Sequence, residues 1–455
     1  MRNILYFITG CILLLQAVAC ESFLAVDPPV QDIMAVEVFS SKRTAESAII
    51  GMYSRMTTSN NHALNGFMSL YMGLAADEFA NTAVNATFDV YKNNAILGST
   101  ASVLGSAWAP LYNYMYHANA IIDGLQKSTG IALADRQALL GEAYFVRGLV
   151  NFYLANLFGP VPLVLDTDYE KNRVLAKSSL DDLYDQVESD LLQAETLLST
   201  DYPDNTRIRP NVYAAKALLA RVYLYRENYP AAVLRASEII ENSELYTLAY
   251  EFDEVFLSDS KEAIWQLFPV NVSYNSAEGL AFIPSSATAR PPHALYGGLL
   301  QDFDEGDKRV ANWTQQRTLA GITYTYPFKY KIRANTTKTE YNTVFRLAEQ
   351  YLIRAEARLN MEQVDLAVSD INMLRRRANV LEYPEDMDAQ QVMKAIIKER
   401  RTEFFAEWGH RWLDLKRWGI IDEEMLRTKP DWKGDNLLLP IPEAELLRNP
   451  SLTPN

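Results

Sequence analysis

Apolar positions recur at helical spacing through much of this chain. Between residues 135 and 158, Leu140, Ala143, Tyr144, Arg147 and Leu154 share one face of a 3.6-residue period. Gly159-Pro160 follows as a stop signal, and Val161-Pro162-Leu163-Val164 is too proline-rich for a helix. A second helix is predicted from about 179 to 199. An earlier one starts near 41, where Ser41 precedes Arg43-Thr44-Ala45-Glu46-Ser47-Ala48-Ile49-Ile50 as an N-cap.

Two later segments read as helical hairpins. In the first, Ala215, Leu218, Leu219, Val222 and Tyr225 line one helix. Tyr229, Ala232, Val233, Ala236, Ile239 and Ile240 line its partner after a break at Tyr229-Pro230. In the second, Ala348, Tyr351, Leu352, Ala355 and Leu359 pair with Ala367, Ile371, Leu374 and Ala378. Alanine at the contact positions lets two helices approach closely. Each pair spans roughly 34 residues, the tetratricopeptide period. The pairs are unevenly spaced, so the chain is no uninterrupted solenoid. The pattern predicts a mainly α fold, with helix pairs stacked together and a non-repeat region inserted.

That region is 256–340, where the helical period is lost. It carries Pro269, Pro284, Pro291, Pro292 and Pro327, with Tyr274, Tyr296, Trp313, Tyr324 and Tyr326 scattered between them. This predicts a loop-rich elaboration on a rigid base, the kind of segment that often carries binding.

Residues 4–19 are the only sustained apolar run. Arg2 precedes it and Ala17-Val18-Ala19-Cys20 closes it, the form of a secretory leader, 1–19, whose cleavage site abuts a cysteine. The expectation is a thioether-linked acyl anchor on Cys20. The alternative is an ordinary leader, with Cys20 merely an early residue of a secreted protein. Residues 20–40, with Pro28 and Pro29, read as an extended tether to the helical region 41–255. No later run approaches the ~20 residues a spanning helix needs.

Composition narrows the function classes. The 455 residues are 49% hydrophobic, ample for a large core, and the net charge of −14 makes nucleic acid a poor partner. The two cysteines are Cys11, which leaves with the leader, and Cys20, so the mature body has no thiol for a disulfide, a metal or nucleophilic catalysis. His62, His117, His293 and His410 do not pair at ligand spacing, and no acidic loop has a calcium pattern. No cofactor is expected. The 26 tyrosines and seven tryptophans suit either a core or a surface that stacks planar or sugar-like ligands.

One block concentrates acids, bases and a histidine: Glu399, Arg400, Arg401, Glu403, Trp408, His410, Arg411, Trp412, Asp414, Arg417 and Trp418. It looks catalytic, but its helical spacing lets Arg and Glu pair three or four residues apart, with Trp rings as walls for Arg. The better reading is a structural knot. Glu142, Arg147, Glu349, Arg354 and Glu356 are read the same way. Glycoside hydrolysis needs two acids flanking a scissile bond, and nothing here places two in an open cleft. An enzyme is not expected.

Five segments resemble the SusD/RagB lipoproteins of Gram-negative nutrient uptake. They are CESFLAVDPP at 20–29, EAYFVRGLVNFYLANLFGPVPLV at 142–164, FRLAEQYLIRAEARLN at 345–360, ERRTEFFAEWGHRWLDLKRWG at 399–419 and LLPIPEAELLRNPSLTPN at 438–455. They lie in the family's order and span nearly the whole chain. The resemblance implies about four tetratricopeptide-like helix pairs supporting an irregular, loop-rich ligand face, and a C-terminal helical region over 341–455. It implies a lipid-anchored outer-membrane protein, facing the cell exterior beside a SusC-like TonB-dependent β-barrel. It implies a lid-like protein without catalytic activity that captures a glycan or, in some members, a peptide. Glu21, just after the anchor, is compatible with a surface-export signal.

In glycan-binding members the loop after an acidic motif contributes ligand contacts. The motif here is Ala75-Ala76-Asp77-Glu78-Phe79-Ala80-Asn81, and the loop holds Phe88, Asp89, Tyr91, Asn93 and Asn94. The resemblance makes this one wall of a site and region 256–340 the other, with Trp313 its best platform. Trp265 and Trp108 stand in apolar runs and are expected in the core. The candidate ligand residues are Asp77, Asn81, Phe88, Tyr91, Asn94, Tyr274, Tyr296 and Trp313. Sugar rings stack their C–H faces on aromatics while Asn, Asp and Arg bind the hydroxyls. A peptide would use backbone hydrogen bonds and apolar pockets. Three readings stay open: oligosaccharide uptake, peptide uptake, and a structural lid with no ligand site of its own.

Overall fold

The computed structural model describes residues 37–434 and 436–455. Cys20, the leader and most of the tether lie outside them. The scaffold is a stack of antiparallel helices: α1 (Lys42–Thr57), α2 (Ala109–Lys127), α3 (Leu133–Phe158), α4 (Leu180–Leu197), α5 (Val212–Tyr225), α6 (Tyr229–Ile240), α7 (Leu347–Asn360), α8 (Val364–Ala378), α9 (Ala389–Phe404) and α10 (His410–Arg417). They pack as the pairs α1/α2, α3/α4, α5/α6 and α7/α8, each leaning on the next, and α9 closes the row against α7 and α8. Four pairs is the number the family resemblance implied.

Local chemistry sets the helix ends. Ser41 caps α1 by accepting from Thr44 N at 3.3 Å. Ser179 and Asp182 form a reciprocal capping box at the start of α4, with bonds of 3.1 and 3.2 Å. Gly159 ends α3 at φ +73°, and a Cβ there would come within 2.8 Å of Leu438. The first hairpin turns slightly earlier than its sequence suggested. Tyr229-Pro230 is the opening of α6, where proline's missing N–H costs nothing, and the break lies at 226–228. Both predicted hairpins use the same turn. Glu227 and Glu362 adopt φ of +58° and +61°. Asn228 N then bonds Tyr223 O at 2.8 Å and Gln363 N bonds Arg358 O at 2.9 Å. Two equal Schellman closures, with no glycine at either, mark the pairs as repeats of one unit.

Buried ion pairs staple the stack. Arg147 of α3 meets Asp190 of α4 at 2.7 and 2.9 Å. Arg221 of α5 meets Glu349 of α7 at 2.6 and 2.7 Å, and Arg354 of α7 meets Asp370 of α8 at 2.7 Å. Glu142 binds Arg209, and Glu356 binds Arg417 of α10. So Arg147, Glu349, Arg354 and Glu356 are struts between helices, and Glu142 ties α3 to the loop before α5.

The C-terminal block is indeed a knot, although most of its partners lie far away in sequence. Arg417 and Asp414 keep the expected local spacing at 2.9 Å. Glu403 instead accepts from Arg309, Arg346 and Arg377, which come from three other segments. Glu262 ties Arg346 and Arg377 together at 3.0 and 2.8 Å. His410 is buried against Phe404, with its pKa driven well below the usual range by burial and by nearby arginines.

Region 256–340 is mostly loop, with short helices and strands set into it, and two of its strands pair with segments outside it. Strands β2 (Ala263–Leu267) and β6 (Asn342–Arg346) pair antiparallel, and both are fully buried. β4 (Thr314–Leu319) and β5 (Ile322–Pro327) form a hairpin closed by Ala320-Gly321, both at positive φ. β1 (Phe79–Asn81) pairs with β3 (His293–Leu295), Phe79 facing Leu295. That short ribbon joins the two stretches expected to wall the site. Among the described residues, no helix is long and apolar enough to cross a membrane.

Candidate functional site

A cleft of about 160 Å³ opens where three segments meet. The acidic motif contributes Asp77 and Phe79, and the segment after it contributes Lys92 and Asn93. The end of β3 contributes Tyr296. The C-terminal stretch contributes Lys429, Asp431 and Trp432. Tyr296 is aimed by its backbone, whose N–H bonds Glu78 O at 2.8 Å just past the β1–β3 ribbon. Trp432 is fixed by donating Nε1–H to Asp422 at 2.8 Å and by an edge contact with Trp412.

Charges brace the floor. Arg411 donates to Asp77 at 2.7 and 3.1 Å, and Arg401 binds the same carboxylate. Burial alone would raise the Asp77 pKa, but the two guanidiniums outweigh it and hold the carboxyl below its usual range. Its neighbour Glu78 behaves oppositely: burial, helped by the charge of Asp77, pushes it up to about 8. Lys429 sinks its ammonium among Leu74 O at 2.9 Å, Ala75 O at 2.5 Å and Asn94 Oδ1 at 2.6 Å. Burial lowers it to about 7. Lys92, on the rim, has no ion or hydrogen-bond partner for its ammonium among the described residues.

The structure brings only two of the eight candidate residues to this cleft, Asp77 and Tyr296, and Asp77 is already consumed by its arginines. Asn81 and Phe88 lie half-buried beside the ribbon. Asn81 bonds Asp89 at 2.7 Å and His293 at 3.0 Å, and Phe88 sets its ring against His293 and Tyr71. The other four are corrections. Tyr91 is fully buried, with its hydroxyl on Ser102 at 3.0 Å. Asn94 is a buried strut that donates to Ala75 O at 3.0 Å. Tyr274 is buried and accepts from Asn65 at 3.3 Å. Trp313 has 0% exposure, ringed by Phe252, Phe256 and Phe405, with the Lys329 ammonium 4.4 Å from its ring centre. None of these rings presents a face to a ligand. Trp265 and Trp108 are buried as expected.

Sequence reasoning missed Lys92, Lys429, Asp431 and Trp432. The available signal was Pro430-Asp431-Trp432-Lys433-Gly434, an aromatic in a turn-forming stretch. Chemically, the cleft offers an aromatic edge, a free ammonium, an amide and a carboxylate around a small hollow. Those groups can donate to and accept from hydroxyls.

Residues 22–224 match the SusD-like family described as "Starch-binding associating with outer membrane", and residues 297–455 match the SusD family. The chain belongs to the SusD family. SusD-like protein P25 of Formosa agariphila is 26% identical, over 99% of this chain and 97% of its own length. A SusD superfamily protein of Bacteroides vulgatus has the same fold, with a TM-score of 0.80 at 24% identity over 91% of this chain and 98% of that one. A laminarin-binding SusD-like protein superposes with a TM-score of 0.73 at 21% identity, over 90% and 98% of the two chains. SusD proteins are non-catalytic outer-membrane lipoproteins that bind glycans for uptake, generally beside SusC-type TonB-dependent transporters.

Proposed function

We propose that this SusD-family chain is anchored through Cys20 at the outer face of the outer membrane, binds an oligosaccharide at the Tyr296 cleft, and passes it to a SusC-like TonB-dependent β-barrel. The observation that carries this reading is the meeting of the acidic-motif loop, Tyr296 and Trp432 around one hollow, in a family of glycan binders. The side chains at the mouth suit hydroxyls: Asn93, Lys92 and Asp431 supply donors and acceptors, and Tyr296 supplies an apolar edge. At about 160 Å³ the hollow is smaller than the few hundred Å³ typical of ligand pockets. It suits the end of a glycan better than its length, and the remainder would run over the rim.

Calorimetric titration of the mature protein with starch- and laminarin-derived oligosaccharides, and with a peptide pool, tests the reading. Glycan binding that weakens in Tyr296→Ala is expected. Binding of peptides with silence across glycans would move the assignment to peptide uptake. Silence toward both would leave a structural lid.

A further inference from the structure

A larger hollow lies elsewhere, on the helical stack. A groove of about 640 Å³ runs between α2, the loop after α3 and the C-terminal segment, within the usual range for ligand sites. Its floor is an aromatic stripe. Tyr112 and Tyr116 follow at four-residue spacing and so rise along one face of α2, about 6 Å apart along its axis, with the buried Trp108 one step below them. Trp108 and Tyr112 hold their rings 4.8 Å apart. Tyr116 is 50% exposed, and Tyr169 on the facing wall is 73% exposed. These are open rings, unlike the sealed ones of region 256–340.

The walls are fastened before any ligand arrives. Tyr112 donates its hydroxyl to Pro162 O at 2.9 Å, and Asn119 donates to Val164 O at 2.9 Å. Asn449 donates to Leu175 O at 2.7 Å, pinning the C-terminal segment to the loop. A groove held this way loses little freedom on binding. Its polar groups have spare capacity. Asn113 is exposed and forms no side-chain hydrogen bond among the described residues. Asn172 donates to Asp166 O at 2.9 Å, while its Oδ1 has no donor among them.

Charge indicates the kind of occupant. The two guanidiniums of the groove are already paired, Arg173 with Glu170 at 2.6 Å and Arg448 with Glu445 at 2.7 Å. The groove therefore carries no uncompensated cation to recruit an acidic ligand. Its walls are helices and pinned loop, so no free strand edge invites an extended peptide. Stepped aromatic faces with free amides are the chemistry of a neutral sugar chain.

The geometry points to a second glycan site, on the tetratricopeptide-like face and separate from the Tyr296 cleft, that takes a neutral oligosaccharide along the stripe Tyr112–Tyr116 with Tyr169 closing over it. This goes beyond the proposal for the cleft and does not depend on it. The test is titration of the full mature chain with maltoheptaose and, separately, laminariheptaose, comparing wild type, Tyr116→Ala/Tyr169→Ala and Tyr296→Ala. Both altered tyrosine faces of the groove are largely exposed, so the double variant should fold, and circular dichroism checks this. At least a tenfold loss of affinity in the double variant, or loss of one of two binding events, is expected, while Tyr296→Ala keeps the groove event. Binding that only Tyr296→Ala removes would overturn the groove and leave the cleft standing. No binding of either glucan by wild type, or binding indifferent to Tyr116 and Tyr169, would also overturn it.

Discussion

Arg401 reaches from α9 to the carboxylate of Asp77, 324 residues earlier in the chain. The pair ties the last helix of the stack to the loop that floors the cleft, and Arg411 shares the same carboxylate. Asp77 is thus a beam of the site and has little capacity left for a ligand.

Replacing it separates the two roles. Asp77→Asn strands part of two buried guanidiniums, although Asp302 and Glu424 still partner them. The expected loss is about 3 kcal/mol, at the low end for a broken buried pair. Urea denaturation measures it. A variant of native stability that no longer binds glycan would instead make Asp77 a direct contact.

Arg221 and Glu349 offer a cleaner case, since each is almost fully buried. Arg221→Ala leaves Glu349 uncompensated between α5 and α7, and should lower the unfolding free energy by about 3–5 kcal/mol. Exchanging both for apolar residues, Arg221→Met with Glu349→Leu, should cost much less. Equal losses in the single and double variants would show that the pair itself stabilises the stack.

Trp313 and Tyr296 should divide stability from binding. Trp313→Ala empties a packed site and should cost about 3–5 kcal/mol. Any protein that still folds should bind glycan with wild-type affinity. Tyr296→Ala should leave the melting temperature nearly unchanged and weaken binding by up to about tenfold, the scale of one aromatic contact. The reverse pattern would restore Trp313 as the platform.

The difference between these two residues shows what was legible in the sequence. The helices were, because a 3.6-residue period and end signals such as Ser41 and Gly159 act locally. The four pairs and the structural nature of the Glu399–Trp418 block followed from spacing and family likeness. Ring exposure did not follow, because it depends on what folds over the ring. Trp313 sits among prolines and looks like a loop aromatic, yet Phe252, Phe405 and Lys329 close around it. Trp432 joins the cleft through the bonds of Lys429 to carbonyls some 355 residues away, which no local pattern reports.

Stability should also depend on pH through Glu278. Its Oε1 accepts from Ser69 at 2.9 Å, and burial raises its pKa to about 7 from the ordinary 4.5. Between those values the unfolded chain releases a proton that the folded chain keeps. The contribution is therefore full below about 4.5 and is lost as pH rises toward 7. Its slope is at most roughly 1.4 kcal/mol per pH unit. Glu278→Gln should make the urea midpoint fall less steeply between pH 5 and pH 7, with Glu78 still contributing a fall and the buried His293 and His410 opposing it. Identical slopes in variant and wild type would mean that Glu278 titrates normally.

Glu403 also bears on the order of events during folding. It is the common acceptor for Arg309, Arg346 and Arg377, all made before it on the ribosome. Until residue 403 arrives, Arg309 has Asp307 and Arg346 and Arg377 share Glu262, but the three guanidiniums lack the one acceptor common to all of them. A chain cut short before residue 403 would lack the acceptor these arginines share, and limited proteolysis should cut such a truncation sooner than the full chain.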